Sequence, residues 1–173
     1  MAWVTPRTWA TGEDITAARL NENRDSVTFL GTPPSCRVYN NAAISHTTSG
    51  STQYLTFNSE RFDTDTMHST AVNTGRVTAT TAGKYAVWGM GEFASNATGQ
   101  RGFSIRLSGT TTIAATLADS SAATVFQGIV STFYALAATE YVELGAFQSS
   151  GGALNVTSSA NFSPELAAAW QSL

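Results

Sequence analysis

Residues 84–93 read Lys-Tyr-Ala-Val-Trp-Gly-Met-Gly-Glu-Phe, a run that contains three aromatic residues, a valine and a methionine. The alternation predicts a β-strand. On such a strand Tyr85 and Val87 share one face. Trp88 and Met90 share the other. Because a strand that is apolar on both faces must be covered on both, this run predicts burial between two layers of protein.

The same two-faced pattern recurs downstream, where Val130 and Tyr134 alternate with Ile129 and Phe133. Residues 141–147 repeat it, while the run around Phe103 alternates as a half-exposed strand. No helical periodicity follows Gly31, so an antiparallel domain has no helices to cover the second faces. We therefore expect an all-β sandwich or jelly roll whose second cover comes from copies of itself. The residues predicted to form the core are Trp88, Phe103, Ile105, Phe133 and Leu144.

Composition restricts the classes of function. Charged residues make up 12% of the 173-residue chain, about half of the roughly 25% usual in soluble domains. The net charge is −3 and no basic run is present, which argues against nucleic acid as a partner. No apolar stretch is long enough to span a bilayer, and the N-terminus lacks the pattern of a signal peptide. A single cysteine, Cys36, allows no intrachain disulfide and indicates synthesis in a reducing cytoplasm.

The first 31 residues differ from the rest of the chain. They predict an extended aromatic arm and one helix that Thr16 caps and Gly31 ends. The expected organisation is a docking arm and helix at 1–31, a Pro-rich hinge at 32–35 and a jelly-roll domain at 36–173. A helix of this length is marginal alone and needs a partner surface, which is either another protein or the chain's own β-domain. The residues predicted to dock are Trp3, Pro6, Trp9, Ile15, Leu20, Val27 and Leu30.

The densest group of oxygen and nitrogen ligands comprises Glu60, Asp63, Asp65 and His68. Alternating carboxylates can hold calcium, but the full loop signature is missing, so side chains that stabilise local turns are favoured and no metal is predicted. The sequence also lacks a nucleophile elbow, a zinc-protease His-Glu pair and a CxxC motif. We therefore expect no catalytic residues, no cofactor and no enzyme activity.

Two sequence blocks resemble the globular head shared by complement C1q and tumour-necrosis-factor-like proteins. Residues 80–88, Thr-Thr-Ala-Gly-Lys-Tyr-Ala-Val-Trp, resemble its G-x-Y-x-(F/V) strand. Residues 136–144 resemble its L-x-x-G-D-x-V-x-L segment, with Thr139-Glu140 in place of Gly-Asp. The resemblance covers roughly 36–166 and implies a ten-stranded jelly roll that assembles as a homotrimer. It also implies that some aromatic residues line the trimer axis, for which Tyr85 and Tyr141 are the candidates.

A third block has a different resemblance. Residues 9–21, Trp-Ala-Thr-Gly-Glu-Asp-Ile-Thr-Ala-Ala-Arg-Leu-Asn, resemble a lead segment common in tailed-bacteriophage structural proteins. This implies a virion protein made in the host bacterial cytoplasm, with residues 1–31 bound to a capsid or tail protein. We expect a trimeric capsid decoration or head-fibre protein. The alternatives are a tail-fibre or tail-tip module that binds host surface glycan, and a stand-alone lectin-like domain.

Overall fold

Two antiparallel β-sheets pack face to face, and one helix precedes them. The computed structural model describes residues 4–120, 122–159, 161–162 and 164–173. The helix and the first six strands are α1 (Ala17–Gly31), β1 (Ser35–Tyr39), β2 (Ile44–His46), β3 (Ser51–Tyr54), β4 (Ser59–Asp63), β5 (Arg76–Thr78) and β6 (Gly83–Phe93). The remaining strands are β7 (Gln100–Leu107), β8 (Thr111–Asp119), β9 (Phe126–Leu136), β10 (Tyr141–Gln148), β11 (Leu154–Val156) and β12 (Glu165–Ser172).

The seven-stranded sheet runs in the order β2-β11-β6-β12-β1-β4, and β9 pairs with the whole length of β6 along its other edge. The five-stranded sheet runs β3-β10-β7-β8, with β5 also paired to β10. The pairs are antiparallel and join strands distant in sequence, so the predicted jelly-roll sandwich is confirmed. Within the described ranges, no helix is both long and apolar enough to cross a lipid bilayer.

Strand β6 has the two faces that its sequence predicts. Tyr85 and Val87 are buried against the five-stranded sheet, whereas Trp88 and Met90 are partly exposed on the outside. The inward positions Gly89 and Gly91 have no side chain, and residues of the opposite sheet occupy the space. A Cβ atom at Gly91 would lie 2.6 Å from Cζ of Phe103. The side chains of the five-stranded sheet therefore pack closely against the backbone of β6 at these two glycines, and we call this packing the interlock of the sheets.

Two residues predicted to lie in the core lie elsewhere. Phe103, Ile105 and Leu144 are at most 1% exposed inside the sandwich. Phe133 is 74% exposed, and Trp88 is half-buried on the outer side of the same sheet. Alternation shows which residues share a face but not which face the second sheet covers. The core prediction is therefore corrected for Phe133 and Trp88.

Tyr85 lies inside the sandwich and leaves a neighbouring subunit no surface to contact. Its ring is fully buried, and its hydroxyl donates a hydrogen bond to the carbonyl oxygen of Thr81 at 2.7 Å. The trimer-axis role predicted for Tyr85 is thus corrected to a role in the core. Burial, reinforced by the charge of Asp65, raises the pKa of this phenol to about 12.

We expect this phenol to make folding sensitive to alkali. Because the folded state holds the proton of Tyr85 more tightly than the unfolded chain, whose tyrosine pKa is about 10, its contribution to stability is complete below about pH 10 and is lost as the pH rises to about 12. Urea unfolding across this range should show the decline, and Tyr85→Phe should flatten it. An equal decline in the variant would contradict the assignment.

Helix α1 contacts the β-domain through its buried Phe29. Thr16 caps it by accepting a hydrogen bond from the Arg19 N–H at 3.4 Å. The Phe29 ring is fully buried and meets Trp170 of β12 edge to face, with 4.9 Å between ring centroids. The Ser26 hydroxyl donates to the carbonyl oxygen of Val4 at 2.7 Å, which ties the arm to the helix. The lead segment therefore packs partly on its own domain.

Candidate functional site

The outer side of β6 and β9 presents a contiguous apolar surface. Phe133 is 74% and Ile129 is 66% exposed. Across the ladder Phe133 pairs with Ala86, and Ile129 pairs with Met90. We call this surface the apolar face; it comprises Ala86, Trp88, Met90, Ile129, Phe133 and Ala135. A contiguous patch of large exposed apolar side chains is typical of a protein interface. Single apolar side chains scattered over a surface are common and do not indicate one.

The apolar face has a hollow at one end. Its volume is about 260 Å³, and Met90, Ile129 and Phe162 contribute to its lining. The paired glycines Gly91 and Gly128 form its floor, since neither places a side chain on this side. A hollow of this size can receive one large side chain of a neighbouring molecule.

A charged cluster borders the apolar face. Glu165 of β12 is 1% exposed, although it lies on the outer side of its sheet. Nε of Arg37 donates to its Oε2 at 2.6 Å, and Nε of Arg61 donates to its Oε1 at 2.6 Å. The Arg61 guanidinium also lies 4.4 Å from the ring centroid of Tyr39. An apolar centre with a polar, fully paired margin is the usual anatomy of an interface.

The apolar residues in and just before α1 that were predicted to dock are exposed to solvent. Ile15 is 73%, Leu20 52%, Val27 70% and Leu30 56% exposed. The side of the helix that meets the domain carries Phe29 instead of the predicted stripe. These side chains therefore leave apolar surface exposed along the lead segment, up to the turn of the helix that carries the buried Phe29.

The arm before α1 is held in a defined shape. Arg7 forms an ion pair with Glu13, and Arg19 forms another with the same carboxylate at 3.1 Å. A hydrogen bond from the Ala10 N–H, with help from Arg7, holds the pKa of Glu13 below its usual value. Arg7 lies 5.5 Å from the centroid of the Trp9 ring, which is 38% exposed. Pro6 is exposed too, and Trp3 lies outside the described residues.

The acidic loop uses its carboxylates internally. Asp63 accepts hydrogen bonds from the backbone N–H groups of Asp65, Met67 and His68 at 2.9–3.1 Å. Glu60 lies 2.9 Å from Nδ1 of His68. Across the part of the chain that the structure describes, no group of three or more potential ligands converges on a metal position. The carboxylates of this loop therefore stabilise its turns.

Tyr141 lies on the other side of the sandwich from the apolar face. It belongs to a row of side chains on the outer surface of the five-stranded sheet, which we call the arginine platform: Tyr54, Arg76, Arg106, Tyr141 and Glu143. Glu143 stands between the two arginines in direct register, with Arg106 at 2.7 Å and Nε of Arg76 at 3.6 Å from its oxygens. Arg106 lies 3.3 Å from the Tyr54 ring centroid, and Arg76 lies 4.1 Å from that of Tyr141.

Sequence reasoning missed the arginine platform. Its members come from β3, β5, β7 and β10, and the sheet brings them together through pairs that span many residues. The local signal was weak, because single arginines and tyrosines in short strands are common. Only the strand order reveals that Arg76, Glu143 and Arg106 form one row.

No protein-family model matches the sequence, and neither does any curated protein. Solved structures do match. The globular domain of zebrafish complement 1qA protein superposes with a TM-score of 0.56 at 13% identity, covering 79% of this chain and 96% of that one. Murine APRIL at pH 5.0 gives a TM-score of 0.63 at 8% identity, covering 80% and 98%.

Eiger TNF from S. frugiperda gives a TM-score of 0.54 at 10% identity, covering 80% of this chain and 94% of that one. Identities this low establish the fold alone. The β-domain of this protein is accordingly a C1q/TNF-like jelly roll.

Proposed function

We propose that this chain is a non-enzymatic structural protein of a tailed-bacteriophage virion, a homotrimer that residues 1–31 attach to the capsid as a decoration or head-fibre protein. The jelly roll supplies the projecting body, and the arm with α1 supplies the anchor. No cofactor takes part in this role, because the work is mechanical: each subunit covers the apolar surface of the next.

The apolar face is the observation that carries the proposal. Phe133 and Ile129 are large side chains on an ordered strand, and their own chain leaves them mostly in water. Burying such side chains stabilises a complex by about 1.5–3 kcal/mol each when they are fully covered. A second copy of the chain is the proposed occupant. The resemblance to C1q and TNF-like heads favours three copies, and the hollow beside Ile129 offers a place for a neighbour's side chain.

The anchor rests on the exposed apolar residues of the lead segment. Leu20 and Val27 remain in water although Phe29, on the same helix, is fully buried. The three helices of one trimer would bind the particle at the same time. The avidity of three linked contacts is much higher than the affinity of one contact alone. The assignment to a phage particle comes from the resemblance of residues 9–21, and the capsid is the location that we propose for it.

Two measurements test the role. The mass of the full chain in solution, by light scattering or native mass spectrometry, should be that of a trimer; a monomer at all accessible concentrations would overturn the assembly. The number of copies per purified particle should be comparable to that of the major shell protein. A few copies in multiples of three would move the role to the tail, and absence from particles would overturn it.

Exchanging Leu20 and Val27 for Asp together should abolish attachment to particles without changing the fold. Both side chains are more than half exposed, so the folded domain loses little, whereas a docked apolar surface would have to bury two charges. Co-sedimentation of the variant with particles that lack this chain measures the effect. The matched control is Asn21→Asp, which adds a charge to a polar side of the same helix. Normal attachment of the double variant would contradict the anchor.

The alternative role is a tail-fibre or tail-tip module that binds host glycan. The observation that favours it is the pair of open hollows around Arg76, on the face that the proposed trimer leaves free. The copy number per particle distinguishes the two locations.

A further inference from the structure

Two hollows meet at one arginine on the outer surface of the five-stranded sheet. The larger has a volume of about 530 Å³ and the smaller about 310 Å³. Asn73 and Arg76 contribute to the lining of both, so the two hollows adjoin, and we call them together the groove. The groove runs from Tyr141 past the loop between β4 and β5 to Tyr54. It lies on the opposite sheet from the apolar face and stays accessible in the proposed trimer.

The guanidinium of Arg76 is fixed in place but keeps its donors available. The ring of Tyr141 lies beneath it at 4.1 Å, and Glu143 approaches its Nε at 3.6 Å. Among the described residues, none accepts a hydrogen bond from this guanidinium, and its side chain is 37% exposed. Oε2 of Glu143 accepts two hydrogen bonds from Arg106, one from Nε at 3.0 Å and one from Nη2 at 2.7 Å. Two arginines therefore share one carboxylate, and the row carries an excess positive charge that suits an anion.

A planar guanidinium with two free N–H groups matches a carboxylate in particular, because each of its donors can meet one oxygen. Because Arg76 stacks on Tyr141 before any ligand is present, its side chain has fewer conformations to lose. The entropy lost on ligand binding is therefore smaller. The arginine is thus prepared for a flat anionic group that enters along the groove.

The rest of the lining indicates what carries this carboxylate. Five of the ten residues that line the larger hollow carry an aliphatic hydroxyl or amide group, and they stand beside the apolar side chains of Met67 and Val72: Thr66, Ser69, Asn73, Thr78 and Thr139. Such groups both donate and accept, as sugar hydroxyls do. A peptide ligand would need apolar pockets for its side chains or a free strand edge. The exposed apolar side chain of this lining is Val72, which is 66% exposed at the rim and forms no pocket.

Backbone strain is concentrated around the same groove. Of the four non-glycine residues with positive φ in the described ranges, Thr66 (φ 55°), Asn73 (φ 52°) and Thr139 (φ 76°) all line it. A β-branched residue in this region is a genuine outlier, and such outliers are concentrated at ligand sites. Thr139 is the clearest case, because it occupies the place of glycine in the sequence pattern that this segment resembles.

We propose that the groove centred on Arg76 binds a carboxylate-bearing sugar unit of an acidic polysaccharide. Arg76 pairs with the carboxylate, and the hydroxyl-rich lining, with Thr139 held in its strained conformation, contacts the sugar hydroxyls. This inference goes beyond the proposed structural role and does not depend on whether the chain belongs to a capsid or a tail.

The test titrates the isotope-labelled full chain with tetrasaccharides of polygalacturonate, alginate and hyaluronate, followed by NMR. Each acid is compared with the same tetrasaccharide after its carboxyl groups have been reduced to alcohols. At least one acid should bind at millimolar or lower concentration and shift the signals of Arg76, Thr139 and Tyr141, while its reduced form should bind at least tenfold more weakly. Absence of binding by all three acids would overturn the proposal.

Variants separate the site from general charge effects. Arg76→Gln should weaken binding at least tenfold, and Arg76→Lys should restore it only in part, because an ammonium cannot pair with both oxygens. The matched control is Arg24→Gln, an exposed arginine on α1 that should bind as the unaltered protein does. A tetraglutamate peptide that bound as tightly as the acidic sugars would overturn the sugar assignment.

Thr139→Gly distinguishes a binding role from a folding role. Glycine adopts positive φ without strain, so the melting temperature of the variant should stay equal or rise. Loss of the threonine side chain should nevertheless weaken binding severalfold. If Thr139→Gly binds the acidic tetrasaccharide as tightly as the unaltered chain does, Thr139 does not contact the sugar. That result would contradict the proposed contact between this residue and the sugar hydroxyls.

Discussion

Replacing Phe103 with alanine is expected to lower the free energy of unfolding by about 3–5 kcal/mol. The ring is 1% exposed at the point where the two sheets interlock. It stacks on Phe93 with 5.3 Å between centroids and on Phe126 with 6.3 Å. It also fills the space left by Gly91 on the facing strand. Because so many neighbours converge on one ring, the site cannot collapse around a small residue, and a cavity remains.

A double-mutant cycle with Gly91 tests this geometry more sharply than the single change. A Cβ at Gly91 would lie 2.6 and 2.7 Å from two atoms of the Phe103 ring, and its three nearest heavy atoms all belong to that ring. Gly91→Ala alone should therefore cost about 1–3 kcal/mol by overpacking. With Phe103→Ala in place the new methyl group enters the cavity, so the same change should be neutral or stabilising.

Chemical denaturation of the four proteins of this cycle, monitored by circular dichroism, measures the coupling. Val72→Ala, at a site 66% exposed in a loop, serves as the control and should change the stability by less than about 0.5 kcal/mol. If the two single changes prove additive, Phe103 and Gly91 are not in contact and the interlock of the sheets is wrong.

Much of the fold could be predicted from local patterns. Strict alternation in β6 separated Tyr85 from Trp88, and Thr16 marked the start of the helix by its capping hydroxyl. What alternation does not contain is the identity of the buried face. Gly89 and Gly91 share a face with Tyr85, and only the large residues of the opposite sheet make that glycine-containing face the inner one. Trp88 therefore points outward.

The predictions for the lead segment and the surface fell short for a different reason. The helix contacts its domain through Phe29, because one buried aromatic contact with Trp170 outweighs a narrow stripe of aliphatic residues. The row of Arg76, Glu143 and Arg106 depends on strand pairs that join distant parts of the chain. Side-chain sites that form by long-range pairing have no signature in any short window of sequence.

Phe133→Asp is expected to convert the proposed trimer into a folded monomer. The side chain is 74% exposed, so its replacement should change the stability of the isolated domain by less than about 1 kcal/mol. In an assembly the same position is buried in each subunit, and a carboxylate there would lose its hydration without a partner. We expect assembly to weaken on the order of 100-fold or more, as at a central interface residue.

Leu117→Asp is the matched control for Phe133→Asp, because it places the same charge at a 54% exposed apolar residue on the other sheet. Light scattering should report a monomer for the first variant and an unchanged trimer for the second, with β-sheet circular dichroism preserved in both. If Phe133→Asp stays trimeric, the apolar face is not the contact between subunits. If both variants dissociate, added charge alone disrupts assembly. Only dissociation confined to Phe133→Asp places the contact on β6 and β9, which would explain why strands this apolar on both faces occur in a chain so poor in helices.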